Sequence, residues 1–145
     1  MRIAVLSDTH NRLPLHLLHE IAGADEIWHL GDVTHESCLG SLHALGAPLH
    51  VVRGNCDSNE AWPWVIDLER EGFTIRLIHI PPLIAPPGCD LLLHGHTHIP
   101  RNERIGETRF FNPGTVGKPN KGIPPSYAWL ELTRGRPPRW ELVRL

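Results

Sequence analysis

Cysteine is scarce in this chain of 145 residues: Cys38, Cys56 and Cys89 stand far apart, an odd number with no Cys-x-x-Cys pair. That excludes a zinc ribbon and gives no support to a disulfide framework. No lysine- or arginine-rich run is present and the net charge is −2, so the electrostatic footprint of a partner for long DNA or RNA is missing. The small basic group Arg134, Arg136 and Arg139 is interrupted by Pro137 and Pro138 and reads as a solvated turn. Nothing approaches the roughly 20 apolar residues of a membrane-spanning helix. The apolar start, Met1–Leu6, is halted by Asp8 and His10, short of a signal peptide's apolar region and cleavage site. A soluble, cytoplasmic protein with no membrane partner is the expectation, and the length suits one domain over residues 1–145.

Histidine, by contrast, is abundant at eleven copies. His16 and His19 fall on the solvated face of a helix, and His35, His43 and His50 have no partner spacing. His29 and His94 lie inside strand-like runs and read as core histidines hydrogen-bonded within the sheet. His10, His79, His96 and His98 remain.

The apolar pattern begins as β-α-β-α-β: strands over Arg2–Ser7, Glu26–Leu30 and Leu49–Arg53, helices over Leu13–Ala22 and Ser37–Leu45. Crossovers of that length argue a parallel sheet. Afterwards strands follow with almost no helix: Trp64–Leu68, Phe73–Ile80, Asp90–His94, Thr108–Phe111, Ser126–Leu132 and Arg139–Val143. Four prolines within Ile80–Cys89 exclude a helix there. A parallel half and a strand-rich half predict an α/β protein of two sheets packed face to face, helices outside. Trp62 and Trp64 suit either a core or a homo-oligomer interface.

Five polar clusters punctuate this pattern: Asp8-Thr9-His10, Gly31-Asp32, Gly54-Asn55-Cys56-Asp57, His79 and Gly95-His96-Thr97-His98. Four follow apolar runs of strand length, and strand ends in an open α/β sheet form a crevice where ligands bind. Singly each is a turn or cap signal. His-x-His is stronger, because alternate strand residues share a face and two imidazoles there repel when protonated. Together, Asp8, His10, Asp32, Asn55, His79, His96 and His98 offer oxygen and nitrogen ligands enough for two divalent ions. Asp32 is the natural bridge, and the neutral Asn55 amide leaves room for an anionic substrate.

In order, spacing and residue type these clusters resemble the calcineurin-like metallophosphoesterase superfamily. With Asn112-Pro113-Gly114-Thr115 they resemble its small prokaryotic phosphodiesterases of the YfcE type. The resemblance spans essentially the whole chain. It implies a four-layer α-β-β-α sandwich of two mixed β-sheets, the metallo-dependent phosphatase fold. One metal would be held by Asp8, His10, Asp32 and His98, the second by Asp32, Asn55, His79 and His96. Manganese is the common metal of such families, with iron, nickel, zinc and cobalt also found. The implied activity is hydrolysis of small phosphodiesters by a metal-bound hydroxide, with Asp32, Asn55 and His96 acting through that water and the phosphate.

Two departures mark this chain. Related Ser/Thr phosphatases carry a leaving-group histidine after the asparagine; here that place is Cys56, so activated diesters should react more readily than alkyl monoesters. Close relatives also place Gly-His after the His79 equivalent and then a helix, whereas this chain has Ile80-Pro81 and the proline loop, which should leave one cleft wall more open. Asp57 would orient a neighbouring group, and Thr97 and Thr115 would contact phosphate or stabilise turns. Two rival readings are a protein-binding scaffold, as in the small retromer subunit where metal ligands are lost, and a nuclease. The complete ligand set argues against the first and the missing basic groove against the second.

Overall fold

The computed structural model describes residues 1–120 and 122–145. Strands β1 (Arg2–Leu6), β2 (Glu26–His29) and β3 (Leu49–Val51) are joined by helices α1 (Leu15–Ile21) and α2 (Ser37–His43). They pair in parallel and are extended by antiparallel β9 (Ser126–Glu131) and β10 (Arg139–Arg144), giving the order β10-β9-β1-β2-β3. The second sheet has the order β4-β5-β6-β8-β7, from β4 (Val65–Arg70), β5 (Phe73–Ile78), β6 (Leu91–Leu93), β7 (Arg101–Ile105) and β8 (Thr108–Asn112). Both sheets are mixed, since β5, β6 and β8 run parallel while β4 and β7 run antiparallel to their neighbours.

Period-two geometry sorts the apolar residues into layers. In β1, Ile3 and Val5 face the second sheet, where Ile75, Leu77, Leu91, Leu93 and Phe111 meet Trp28 and Leu130. Ala4 and Leu6 face the opposite way, against Leu17 and Ile21 of α1 and Leu39 and Leu42 of α2. Burial on both faces explains why β1 reads as an unbroken apolar run. Phe111 also stacks on Trp140, 4.4 Å between centroids.

On the outer face of the second sheet Leu92, Phe110 and Cys89 form a small cluster with Ile78 and Ala85. There the covering layer is the proline-rich segment rather than a helix, as its composition dictates. Leu83 and Ile84 on this segment are exposed. Strand β7 was not expected: four of its five residues are exposed, so this edge strand shows no apolar alternation to read. Pro14 sits at the N-cap of α1 rather than within its first turn. Trp62 packs partly against the helix-side core, while Trp64 is exposed beneath the Arg53 guanidinium, 4.7 Å from its ring centroid. Among the described residues no helix is long and apolar enough to cross a membrane.

Candidate metal centre

Parallel strands present their C-terminal ends on one side, and five of them place the polar clusters there. Ser7–His10 follows β1, Asp32 follows β2, Asn55 follows β3, His79 follows β5, and His96 and His98 follow β6. His79 keeps the parity of Ile75 and Leu77, so its ring points between the sheets and toward the end of β2. Its Nδ1 lies 2.7 Å from the Leu30 carbonyl.

The seven side chains converge. His98 Nε2 is 3.0 Å from Asp8 Oδ1, and His10 Nε2 is 4.0 Å from the same oxygen and 3.6 Å from Asp32 Oδ2. On the other side, His79 Nε2 is 3.3 Å from Asp32 Oδ1. Asn55 Oδ1 sits 3.0 Å from His79 Nε2 and 2.9 Å from His96 Nδ1. The two oxygens of Asp32 are thus divided between a His10 side and a His79 side. The sets Asp8-His10-His98, Asp8-Asp32-His79 and His10-Asp32-Cys56 each bring their ligand atoms within 4.8 Å of one another.

Hydrogen-bond chemistry shows what this arrangement lacks. A carbonyl only accepts, so His79 donates from Nδ1 to Leu30 and His98 donates from Nδ1 to Lys118, 2.9 Å away. Each neutral ring therefore turns an Nε2 lone pair toward a carboxylate oxygen. Asp8 is fully buried, yet among the described residues its Oδ1 has no hydrogen-bond donor, and His10 Nε2 is likewise buried without a partner. Lone pairs facing lone pairs in a buried site are unfavourable unless a proton or a metal cation lies between them. The donor set therefore fits divalent metal ions of hard or borderline character.

The electrostatics point the same way. Burial alone would raise the Asp32 pKa, but the His79 imidazole beside it, when protonated, and the hydrogen bond from the Cys56 amide hold this carboxyl well below the usual range. Burial works against protonated His79, yet Asp32, Asp8 and the Leu30 carbonyl outweigh it and raise its pKa. The adjacent Asp8 carboxylate raises His98, whereas burial lowers His10 despite Asp32 and Asp8. Burial and then Asp32 push the Cys56 thiol up.

The backbone is shaped around these groups. Apart from Glu71, every described non-glycine residue with positive φ lies in these loops: Asp8, His10, Asn11, Asp32, Thr34, His96 and His98. Such strain persists only where surrounding bonds over-determine it. Asp57 supplies many of those bonds: its Oδ2 accepts from the amides of Asp32 (2.9 Å) and Gly54 (2.7 Å), and Oδ1 accepts from Thr34 (2.7 Å). Ser7 Oγ donates to Asp8 Oδ2 at 2.5 Å, and the His96 amide reaches the same oxygen at 3.2 Å. Gly54 and Gly95 are needed for close approach. A Cβ on Gly54 would collide with Asp32, and one on Gly95 would collide with Ser7 Oγ and come within 2.8 Å of Asp8 Oδ2.

The remaining residues singled out in the sequence also find places. His29 is fully buried, accepting from the Gly31 amide at Nδ1 and facing Thr9 Oγ1 at 3.1 Å. His94 donates to the Gly95 carbonyl and accepts from Arg101 at 3.3 Å, so it joins the sheet network instead of the cluster. Burial lowers both to about 4. Thr115 is buried and donates to the Asp8 carbonyl, and Thr97 accepts from Asn112, so both stabilise turns. Cys56 is exposed beside Asn55, and Asn55 and His96 are exposed as well. Two supports were not anticipated: the Ser7 hydroxyl, and Asn112, whose amide group straps the Gly95 carbonyl (2.9 Å) and Thr97 Oγ1 (3.1 Å). No local signal reports the second, because its partners lie 15 or more residues away.

Residues 1–135 match the family model described as the calcineurin-like phosphoesterase superfamily domain. The chain is 32% identical to phosphodiesterase YfcE of Escherichia coli K12, over 90% of this chain and 88% of that protein. The solved structure of that phosphoesterase superposes with a TM-score of 0.73 at 30% identity, again over 90% and 88% of the two chains. Vps29 of Entamoeba histolytica, solved with Zn²⁺, superposes with a TM-score of 0.79 over 99% of each chain at 20% identity, which shows likeness of fold alone.

Proposed function

Because the chain belongs to the calcineurin-like phosphoesterase superfamily, a metal-dependent phosphodiesterase, we propose that it works with two divalent ions on small phosphodiesters. The observation that carries the dinuclear reading is the division of Asp32, whose Oδ2 faces His10 at 3.6 Å and whose Oδ1 faces His79 at 3.3 Å. Asp8, His10, Asp32 and His98 would hold one ion; Asp32, Asn55, His79 and His96 would hold the other, with manganese as the first candidate. Such a pair, when bound, lowers the pKa of a water and neutralises the phosphoryl oxygens during in-line displacement.

The protein's own contribution is orientation. The Leu30 and Lys118 carbonyls fix His79 and His98 in the tautomer that presents Nε2 to the centre. Asp57 fixes the backbone from which Asp32 projects. Asn55 contributes an amide oxygen without negative charge, so an anionic ester meets less repulsion. Asn55, Cys56 and His96 form the solvent-open rim, the side from which a substrate arrives. A thiol in place of an imidazole at that rim gives little help to a poor leaving group, so activated diesters outpace alkyl monoesters. The fold it shares with Vps29 supports no scaffold role by itself, since all seven candidate ligands are present here.

The test is Asp32→Asn, assayed for bound metal and for turnover of a panel of mono- and diesters with Mn²⁺. The variant is expected to fold, to lose metal and to lose activity. Retained metal-dependent diester turnover by the variant would refute the assignment.

A further inference from the structure

We propose that Lys118 is a specificity residue, set at the rim of the metal centre to receive a second anionic group on the substrate. The substrate class is then a phosphodiester whose non-leaving alcohol carries a carboxylate or a phosphate. This rests on the phosphodiesterase reading above and narrows it.

The backbone places Lys118 first. The loop after β8 is bonded to the loop after β1: the Gly117 amide donates to the Asp8 carbonyl at 3.1 Å, and Thr115 Oγ1 donates to the same carbonyl at 3.0 Å. Lys118 in turn donates its amide to Thr115 Oγ1 at 3.0 Å, and its carbonyl accepts from His98 Nδ1 at 2.9 Å. The loops meet so closely that a Cβ on Gly117 would collide with the Thr9 carbonyl. Lys118 therefore starts from a fixed base beside two candidate ligands, Asp8 and His98, and carries its ammonium on a flexible four-carbon stem.

Its charge is unspent. Every ion pair among the described residues uses an arginine or a histidine, so the Lys118 ammonium has no carboxylate partner there, and the residue is exposed. Lys118 is one of only two lysines in the chain, so it does not belong to a scattered solubilising set. Arg12, exposed and outside those pairs as well, has its Cβ beside Gly117 and adds a second cation to this side.

That charge reaches the centre. Burial is the main cause that lowers His10 and that raises the Cys56 thiol; Lys118 adds to the first shift and opposes the second. An ammonium acting on both residues overlooks the face they share with Asp32, where the three ligand atoms lie within 4.8 Å of one another. Its influence is the smallest of the main ones in both cases, which suits a group at the rim and not one inside the centre.

Other rim loops carry the reverse sign. Those after Asp32 and Asn55 enclose a pocket of about 450 Å³ that includes Glu36 and Glu60 and no lysine or arginine. An anionic arm is repelled there and directed to Lys118, so the bound ester has one favoured orientation.

The experiment uses the full-length, Mn²⁺-loaded protein at low salt with two diesters of the same leaving group, butyl and 3-carboxypropyl p-nitrophenyl phosphate. They differ by a carboxylate in place of a methyl group. Wild type is expected to show a KM about fivefold lower for the carboxylated ester, as for an exposed ion pair, with kcat much less changed. The difference should fade as salt is raised. Lys118→Gln should erase it and Lys118→Arg should keep it. Calorimetry with the two products, butyl phosphate and 3-carboxypropyl phosphate, should give the same ratio of affinities. Equal KM values in wild type, or a preference that survives Lys118→Gln, would overturn the proposal and leave the phosphodiesterase reading standing. Absence of turnover for both esters would overturn that reading, and equal calorimetric affinities for the two products would then overturn the Lys118 site as well.

Discussion

Removing Asp57 tests how the centre is built, because this carboxylate touches no candidate metal position and yet holds three backbone amides, those of Asp32, Thr34 and Gly54. Asp32 and Thr34 both sit at positive φ, a conformation that relaxes when its restraints go. A hydrogen bond to a charged acceptor contributes about 1.5–3 kcal/mol. Asp57→Asn keeps one carbonyl oxygen, enough for the Asp32 and Gly54 amides, but turns an NH₂ toward the Thr34 amide. The expected loss is about 2–3 kcal/mol, one charged bond replaced by two opposed donors. At about 2–4 °C per kcal/mol for a chain of this size, Tm falls by roughly 4–12 °C. Asp57→Ala strands all three amides and should lose roughly 3–6 kcal/mol, less than three times the single bond because the loop relaxes. Urea unfolding of chelator-treated protein measures this without any contribution from bound metal. A Mn²⁺ titration of the same samples should show affinity lower by about 10- to 100-fold, as for other residues that orient metal ligands. An Asp57→Ala protein within about 0.5 kcal/mol of wild type, as for an ordinary surface change, would refute the view that Asp57 sets the Asp32 backbone.

Two further outcomes follow from the geometry. His94 is buried with its pKa lowered to about 4, so below the unfolded value of about 6.5 the unfolded chain binds a proton that the native state refuses. Its contribution is intact above pH ~6.5 and is lost as pH falls toward ~4, about 3 kcal/mol at the limit. His94→Gln should therefore flatten the pH dependence of metal-free stability in that window, and parallel curves for the two proteins would sink the attribution. Gly95→Ala forces a Cβ into Ser7 Oγ and toward Asp8 Oδ2. An expected loss of about 1–3 kcal/mol should come with weakened metal binding in calorimetry; unchanged affinity would show that the Asp8 and His96 loops are not packed as described.

Much of the sheet architecture was legible because both faces of β1 and β6 are buried, so these strands announce themselves as short apolar runs. Strand β7 was illegible for the opposite reason: Asn102, Glu103 and Arg104 are exposed on an edge strand, so the local hairpin that pairs them with β8 leaves no apolar alternation to read. The bonding of His29 and His94 within the protein follows from their strand positions, as burial requires of polar groups. The supports from Asn112 and the Lys118 carbonyl were not foreseeable, because their partners lie 17 and 20 residues away; the Ser7 hydroxyl bonds its neighbour Asp8, a side-chain rotamer that residue order does not report.

By itself, the sequence determined which chemistry is available. Its order of Asp, His, Asn and Gly residues after strand-length runs names a metal-binding phosphoesterase, and the prolines after His79 forbid a helix there. Tertiary structure alone decided how those groups face one another: Asp32 split between two histidines, Asp8 Oδ1 left without a donor, and Cys56 held at the rim instead of in the core. The physical reason is that residue type fixes donor capacity and local backbone preference. Which lone pairs oppose each other depends on register and sheet packing across as many as 90 residues of separation, as between Asp8 and His98.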